Sequence, residues 1–491
     1  MERATLSTLD ARRSTFQAAR SRLALSWAFS LVAFLTWSVS AQTLDVDQVK
    51  AMAEKGDVKS QITLATMYYR GQGVLQHFAE AAKWFRKAAE QGDAIAQKNL
   101  GSLYYQGQGV QQSDVEAANW FRKAAEQGQT DAQIELGLMY IKGQGVSKDE
   151  AAGARWFRKA ADLGQVLAQK NLGVLYLNGQ GVSQDNGEAA KWFRKAAEQG
   201  EAQAQNELGR MLVGGIGVKK DDAEAAKWFR KAAEQGEPLA QKNLASLYFV
   251  GQGVAADDAE ALKWFRKAAE NGDAQANYYI GLMHARGRGV TKDAGEALKH
   301  FRSAAEAGDA MAENELGWSY EKGQGVTADL SEAVKWYRKA ADHGHLVAQH
   351  NLGVLYANGR GVPKDPAEAL KWYRKAAEQG NSISQNELGY MYDQGIGVEK
   401  NPNQALEWFR KAAEQGLDVA QQNLGILLTK QLGETSPDLV EAYKWFNLAA
   451  AQGNTNAVGN RDLIMKKLTT EQINEGQRRA AEFLKKKSGA N

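Results

Sequence analysis

AIAQKNLGSLYYQGQGVQQSDVEAANWFRKAAEQG, residues 94–128, is the stretch of sequence that decides the fold. Ala96, Leu100 and Leu103 recur at helical spacing, so its first part predicts an amphipathic helix with one apolar face. Gly107 follows the last apolar residue, where a left-handed glycine closes a helix without a Cβ clash. The first part of the stretch is therefore a helix that ends in a glycine turn.

The second part of the stretch predicts another helix. Ser113, followed three residues later by Glu116, has the spacing of a capping box, in which the two side chains satisfy backbone donors of the first turn. Trp120 and Phe121 lie on the apolar side of this helix, which ends at Gly128. The same spacing recurs in Asp185 with Glu188, Asp221 with Glu224, Asp257 with Glu260, Asp293 with Glu296, Asp329 with Glu332, Asp365 with Glu368, and Asp438 with Glu441.

This helix pair repeats with a period of 36 residues. The period is marked by Trp84, Trp120, Trp156, Trp192, Trp228, Trp264, His300, Trp336, Trp372 and Trp408, and Trp445 follows 37 residues later. A period of this length is typical of stacked supersecondary units. We therefore divide the chain into an N-terminal capping helix at residues 42–56, eleven repeats at residues 57–453, and a helical cap with a basic tail at residues 454–491.

The repeat resembles a known family. Its pattern, A-x-A-Q-x-N-L-G-x-L-Y-x-x-G-Q-G-V followed by D-x-x-E-A-x-K-W-F-R-K-A-A-E-Q-G, is similar to the Sel1-like repeat, a relative of the tetratricopeptide repeat. The resemblance implies an all-α fold, a right-handed superhelical solenoid whose first helices line the concave side. It also implies a scaffold or adaptor that binds a protein or peptide in envelope signalling, secretion or contact with a host. The tail from Asn460 through Gln472, continuing to about Leu484, resembles the amphipathic cap that closes several exported Sel1 proteins.

Charge and composition narrow the classes of partner. The chain has a formal net charge of +3, and its first 41 residues carry five arginines against Glu2 and Asp10. Residues 42–491 therefore hold equal numbers of basic and acidic residues, spread over the repeats, and we expect no nucleic-acid partner. Cysteine is absent, so we expect neither disulfides nor thiolate chemistry.

The first 41 residues have the form of a signal peptide. Arg20 and Arg22 precede the apolar run from Leu23 to Trp37. The small or compact residues Val39 and Ala41 then suit cleavage by signal peptidase after Ala41. We expect residues 1–41 to be removed and the protein to be periplasmic or secreted. The alternative is that this segment stays uncleaved as a membrane anchor, and it would then be the only membrane contact of the protein. The length of the apolar run, at or below what is needed to span a bilayer, argues against this alternative.

Two motifs imitate active sites. Gly-Gln-Gly-Val resembles a phosphate-binding loop, but it follows a helix and recurs along the chain, so we interpret it as a turn. Ser319 and Lys322 match the Ser-x-x-Lys of penicillin-recognising enzymes, and some cysteine-rich Sel1 proteins are described as β-lactamases. Ser319 stands where other copies place a core leucine, and the companion motifs are absent. We predict no enzyme activity and no cofactor, with an envelope hydrolase of the β-lactamase or penicillin-binding type as the alternative.

A histidine cluster could suggest a metal site. Asp342, His343, His345 and His350 lie close together in sequence. By alignment His343 and His345 flank the turn between two repeats, whereas His350 takes an exposed position, so the side chains need not converge as metal ligands must. We therefore predict no metal site.

Residues that vary between repeats predict where a partner binds. The residue after the helix tyrosine is apolar in the first six repeats: Tyr69, Tyr105, Ile141, Leu177, Val213 and Phe249. By analogy with tetratricopeptide repeats this column faces the concave side and forms an apolar groove; alternatively, it packs between repeats. Trp318 and Tyr390 are predicted as aromatic anchors farther along the chain.

The seventh repeat departs from the others at two core positions. His284 replaces the tyrosine and His300 replaces the tryptophan. Either the two rings simply fill these positions, or they form a weak, pH-sensitive joint over residues 273–308. Nearest-neighbour packing means that loosening one repeat would separate the blocks on either side.

Overall fold

A computed structural model describes residues 45–430 and 438–488, which form helices and no strand. The 25 helices in these ranges are α1 Val46–Glu54, α2 Val58–Arg70, α3 Phe78–Glu90, α4 Ala94–Gln106, α5 Asp114–Glu126, α6 Thr130–Lys142, α7 Glu150–Asp162, α8 Val166–Asn178, α9 Asn186–Glu198, α10 Ala202–Gly214, α11 Asp222–Glu234, α12 Pro238–Val250, α13 Asp258–Glu270, α14 Ala274–Arg286, α15 Ala294–Glu306, α16 Ala310–Lys322, α17 Leu330–Asp342, α18 Leu346–Asn358, α19 Pro366–Glu378, α20 Ser382–Gln394, α21 Pro402–Glu414, α22 Asp418–Leu428, α23 Leu439–Ala451, α24 Thr455–Met465 and α25 Thr470–Ser488. The predicted all-α class is confirmed.

The helices pair as the period predicts. α2 and α3 form the first repeat, and each following pair forms the next repeat, up to α22 and α23 in the eleventh. The chain divides into two compact units between Ala261 and Leu262. Within each unit a first helix packs against the second helix of its own repeat and against the second helix of the repeat before it. This nearest-neighbour packing is that of a solenoid.

The N-terminal predictions fall partly outside the described residues. The predicted signal peptide at residues 1–41 and the first residues of the capping helix lie there, whereas α1 occupies the rest of the predicted helix and packs against α2. Among the described helices, none combines the length and the apolar character needed to cross a bilayer.

Most first helices end at a glycine as predicted, and a side chain also caps the start of many of them. At the start of α4 the carboxylate of Asp93 accepts a hydrogen bond from the N–H of Ala96 at 2.8 Å. At its end Gly107 adopts a φ of 68°, and its N–H donates to the carbonyl of Leu103. These bonds satisfy backbone groups that a helix terminus otherwise leaves without partners.

The second helices confirm only half of the predicted capping box. Ser113 Oγ accepts from the N–H of Glu116 at 3.2 Å, as predicted. The N–H of Ser113 is not available to the Glu116 side chain, because it donates to the carbonyl of Tyr104 at 3.0 Å. The reciprocal half of the prediction is therefore wrong. In the fifth repeat the equivalent Glu224 instead accepts from the indole N–H of Trp228 at 3.1 Å.

The second glycine of most Gly-x-Gly turns lies against the backbone of the preceding repeat. Gly109 has a φ of 71°, and a Cβ on it would lie 2.2 Å from the carbonyl oxygen of Phe78, the first residue of α3. The preceding repeat therefore packs directly against this turn. The same approach, to the first residue of the preceding second helix, recurs at Gly145, Gly181, Gly217, Gly253, Gly325, Gly361 and Gly397.

A buried glutamine ties three helices together in most repeats. Gln97 donates through Nε2 to the carbonyl of Ala89 in α3 at 3.1 Å, and its Oε1 accepts from Nε2 of Gln127, at the end of α5, at 2.7 Å. One side chain thus joins its own repeat to the preceding one. Equivalent pairs are Gln61–Gln91, Gln169–Gln199, Gln205–Gln235, Gln349–Gln379, Gln385–Gln415 and Gln421–Gln452.

The third repeat lacks this pair, which provides a test of its contribution. Leu163, 64% exposed, stands where those seven repeats have the second glutamine, and Gln133 Oε1 is buried without a hydrogen-bond partner. Because Leu163→Gln supplies the missing donor, we expect it to raise the free energy of unfolding by about 1 kcal/mol. Chemical denaturation of the full chain measures this. Leu163→Ser removes the same apolar side chain but cannot reach Gln133, and equal stabilisation by both variants would contradict the prediction.

The last two helices cover the end of the eleventh repeat. Both α24 and α25 pack against α23. Arg479 of α25 pairs with Glu441 at 3.2 Å, and the ring of Phe483 meets Trp445 edge-on with 5.3 Å between centroids. These contacts keep the apolar side of the final repeat away from water.

Candidate binding face

Each first helix leaves one stripe of side chains uncovered by its neighbours. In α4 the third, seventh and tenth residues, Ala96, Leu100 and Leu103, are buried between second helices. Helical spacing places the second, fifth, sixth and ninth residues together on the other side. We call the side chains at these four positions, over all the repeats of one unit, the first-helix face of that unit.

Side chains link neighbouring helices along this face. Nδ2 of Asn243 donates to Oδ1 of Asn206 in the first unit, and Nδ2 of Asn423 donates to Oδ1 of Asn386 in the second, both at 2.9 Å. Each pair joins the sixth position of one repeat to the fifth position of the repeat before it. The face is therefore continuous from one repeat to the next within its unit.

Charges on the face of the first unit are largely paired within the chain. Nζ of Lys170 lies 3.5 Å from Glu201 and donates to Gln203 at 2.9 Å. Arg210 forms two hydrogen bonds to the carboxylate of Glu207, at 2.9 and 3.1 Å. Charges that are satisfied internally leave little net attraction for a partner.

Glu135 is a partly buried residue of this unit, and the pKa of its carboxyl group is strongly raised. Burial raises its pKa to about 7, the nearby Asp131 raises it further, and the ammonium groups of Lys142 and Lys98 oppose the increase. In a substantial fraction of molecules this carboxyl group is therefore uncharged at neutral pH, and the negative charge on the face is smaller.

The face of the second unit is apolar and exposed instead. Its exposed large side chains are Trp318, Val347, Ile383, Tyr390 and Val419, each 44–49% accessible and each at the second or ninth position of a first helix. No lysine or arginine occupies any of the four face positions in the eighth to eleventh repeats. This unit thus presents an apolar stripe without positive charge of its own.

Two carboxyl groups accompany this stripe at the sixth position. Burial raises the pKa of Glu315, although the charge of Arg286 opposes it. Burial also raises the pKa of Glu387, while a hydrogen bond from Asn386 opposes the shift. Within the described residues neither carboxylate has an ion-pair partner, so the desolvation of each is only partly compensated.

Acidic residues at the twelfth position behave differently. Glu321 pairs with Lys322 at 2.8 Å and with Arg360 at 3.3 Å, and Asp393 pairs with Lys430 at 3.7 Å. These groups border the stripe and are satisfied by the chain itself. Glu315 and Glu387 differ from these bordering residues, because no ion pair within the described residues satisfies their carboxylates.

The structure corrects the predicted apolar groove. Ile141, Leu177 and Phe249 are buried, because the twelfth position points toward the second helix of its own repeat. A Cβ on Gly153 of α7 would lie 2.6 Å from Ile141 Cγ1, and the ring of Tyr69 packs edge-on against Phe78. The alternative, packing inside the solenoid, describes these residues better.

The other predicted partner-binding residues remain accessible. Tyr69 and Tyr105 are half-buried, whereas Trp318 and Tyr390 lie on the exposed stripe of the second unit. Their contact with a partner stays a prediction. The flanking apolar residues and the two glutamates were missed, although a signal was present: Asn-Glu-Leu-Gly followed by an aromatic residue occurs at 314–318 and again at 386–390.

Comparison with known proteins identifies the repeat. The family model described as "Sel1 repeat" matches eleven consecutive segments: 58–93, 94–129, 130–165, 166–201, 202–237, 238–273, 274–309, 310–345, 346–381, 382–417 and 418–454. Together they cover more than half of the chain.

The chain belongs to the Sel1 repeat family.

Two solved Sel1 structures resemble this chain. One is c5321, a protective antigen present in uropathogenic Escherichia coli strains; it is 37% identical, with a TM-score of 0.74 over 90% of this chain and 95% of that chain. The other is a Sel1 repeat protein from Oxalobacter formigenes; it is also 37% identical, with a TM-score of 0.55 over 64% of this chain and 94% of that chain. No curated protein matches the chain significantly. The Sel1 solenoid is typical of protein-interaction scaffolds.

The Ser-x-x-Lys motif of this Sel1 chain does not form an active site. Ser319 is 4% exposed inside α16, and its carbonyl accepts bonds from the turn that follows. Lys322 pairs with the neighbouring Glu321 instead. A buried serine cannot meet a substrate, so the alternative of a Sel1-type hydrolase has no support.

The histidines of this Sel1 chain that lie close in sequence have separate roles in the structure. His343 binds Glu313 at 2.8 Å and takes the place of the glutamine pair in the eighth repeat. His345 caps α18, and His350 bonds Ser384 at 2.9 Å in the next repeat. Within the described residues no group of three metal-ligating side chains converges.

Proposed function

We propose that this Sel1 repeat protein is an exported scaffold, without catalytic activity, that binds a protein or peptide on the first-helix face of its second unit. The observation that carries the proposal is the stripe of five exposed apolar side chains on that face. Contiguous exposed apolar residues with aromatic anchors are typical of protein-binding surfaces. Export is supported by the arginines and the apolar run of the first 41 residues, which have the form of a signal peptide.

The arrangement of the face suits an extended or helical polypeptide. Repeats present their side chains at regular intervals along one direction, so a linear ligand can contact several of them at once. Polar side chains at the fifth position, such as Asn386 and His350, lie beside the apolar stripe but bond within the chain, and so hold the face in place. Specificity would then come from the aromatic and apolar positions.

Site-specific photo-crosslinking in the native producer tests the proposal. A photoreactive residue at position 318 or 390 is expected to trap a protein partner in the envelope or the medium. Matched controls carry the same residue at Lys335 or Lys371, which are exposed on second helices of the same unit. Absence of adducts at 318 and 390, or identical adducts at the control positions, would contradict the proposed binding face.

A further inference from the structure

One repeat of the first unit shows how this face holds a cation. In the fifth repeat the sequence Asn-Glu-Leu-Gly-Arg, residues 206–210, places Arg210 at the ninth position and Glu207 at the sixth. The guanidinium bonds the carboxylate through two contacts, at 2.9 and 3.1 Å, and the Glu207 side chain is only 8% exposed. A desolvated carboxylate on the face is here neutralised by a neighbouring arginine.

The eighth and tenth repeats contain the same arrangement without its cation. Asn-Glu-Leu-Gly is followed by Trp318 in one and by Tyr390 in the other, so an exposed aromatic ring replaces the arginine. Glu315 and Glu387 keep their partly buried positions, and burial raises the pKa of both carboxyl groups. An uncompensated buried charge is costly, which makes each position a place where a cation would be stabilising.

A second observation points to a donor from outside the chain. Asn314, next to Glu315, is 8% exposed, and its Oδ1 is buried without a hydrogen-bond partner. In the tenth repeat the equivalent oxygen of Asn386 accepts from Asn423, but Asn351 of the ninth repeat bonds Tyr337 instead. The eighth repeat therefore offers a carboxylate with an aromatic ring one turn away, and beneath them an amide oxygen that the chain leaves unpaired.

We propose that Glu315 with Trp318, and Glu387 with Tyr390, each receive a basic side chain of the bound polypeptide. An arginine or lysine would bond the carboxylate as Arg210 bonds Glu207, and its charge would lie against the aromatic ring. Val347, in the repeat between the two sites, would take an apolar side chain of the same ligand. This inference rests on the proposed function and adds to it the chemistry of the partner: a polypeptide with basic residues separated by apolar ones.

Labelled peptides test this chemistry on the purified full chain. The set carries two arginines separated by apolar stretches of increasing length, and each peptide has a twin with citrulline, a neutral isostere, in place of arginine. Fluorescence anisotropy is expected to show binding of at least one arginine peptide that is about tenfold to a hundredfold tighter than that of its twin. Binding should also weaken with added salt. Equal affinity for the twins, or no binding by any peptide, would overturn the inference.

Variants locate the two sites. Glu315→Gln with Glu387→Gln should abolish the preference for arginine, because the charge is lost while the shape is kept. Trp318→Arg with Tyr390→Arg should do the same by supplying internal cations, in an arrangement that the fifth repeat already tolerates. Glu207→Gln, on the first unit, is the control and should leave the preference unchanged. Retention of the arginine preference in both double variants would place the binding elsewhere.

Failure of this inference can be separated from failure of the proposed function. If photo-crosslinking at position 318 traps a partner in the parent and equally in the Glu315→Gln, Glu387→Gln variant, the face binds a protein but does not select a cation. If the parent traps nothing at 318 or 390, the scaffold proposal itself fails. A partner trapped by the parent and lost in the double glutamine variant would support both.

Discussion

Gly109→Ala is expected to lower the free energy of unfolding by roughly 3–5 kcal/mol. Two costs add. An alanine at a φ of 71° adopts a left-handed conformation, which costs about 1–2 kcal/mol. Its Cβ would also lie 2.2 Å from the backbone carbonyl of Phe78, and a backbone group cannot rotate away as a side chain can. The two repeats must therefore move apart, which disturbs the packing on both sides.

Gly128→Ala is the matched control for this effect. Gly128 has a φ of 88°, but no atom lies within 4 Å of the position that a Cβ would occupy, so only the conformational cost of about 1–2 kcal/mol applies. Chemical denaturation of the two variants beside the parent measures the difference. If both alanines destabilise the chain equally, the close approach of Gly109 to the preceding repeat contributes nothing.

A pH-dependent opening of the seventh repeat is the second large effect that we expect. The rings of His284 and His300 stack with 5.8 Å between centroids and 12° between planes. Nδ1 of His300 bonds Oδ1 of Asn277 at 3.0 Å, whereas Nδ1 of His284 is buried without a partner. In other repeats a tyrosine fills the first of these positions and bonds an arginine of the preceding repeat. This pair therefore lacks a bond that its neighbours make.

The direction of the pH effect follows from the pKa of His300. Burial lowers it, and the adjacent His284 lowers it further. The charged groups around the pair are Arg266, Asp293, Glu296 and Lys299, of which Glu296 opposes the decrease. A histidine with a lowered folded-state pKa stabilises the fold above its ordinary pKa of about 6.5, and this contribution is lost as the pH falls toward the folded-state value.

Limited proteolysis at about pH 7.5 and about pH 5.5, on either side of that ordinary pKa, measures the opening. We expect cleavage within residues 273–308 to become faster at the lower pH, ahead of cleavage elsewhere, because protonation of a histidine with a lowered folded-state pKa favours the open repeat. His300→Trp restores the residue of the other repeats and should remove the acceleration. His350→Gln, in the ninth repeat, should not. Unchanged cleavage in the His300→Trp protein would leave the pair without a role in opening.

Local signals made most of the fold predictable. Most helices begin at a capping side chain and are followed within two residues by a glycine, and the tryptophan period shows how many helix pairs follow one another. These features depend on residues within one or two turns, so the sequence shows them directly. The capping box failed in its second half because the N–H of Ser113 is taken by Tyr104, a contact between two helices that no local spacing reveals.

The candidate site was predicted less well for the same reason. The ninth and twelfth positions are both apolar in many repeats, and helical periodicity alone cannot say which of them a neighbouring helix covers. The contact of Ile141 with α7 decides it, and that contact depends on how closely the two helices pack at Gly153. Trp318 and Tyr390 were found because large aromatic residues are rare at their position, whereas the unpaired state of Glu315 appears only when every nearby cation is placed.

The buried glutamine bonds have a consequence for how such chains change length during evolution. Gln97 uses Gln127 of its own repeat and, in the preceding repeat, only a backbone carbonyl. A gene duplication that copies one whole period carries both side chains with it, and any preceding helix of the same kind supplies the carbonyl. In the eighth repeat Glu313 and His343 replace the two glutamines and bond each other, and both of these residues also lie within one period. Copies can thus be gained or lost in frame without leaving one of these buried glutamines unmatched at the new junction.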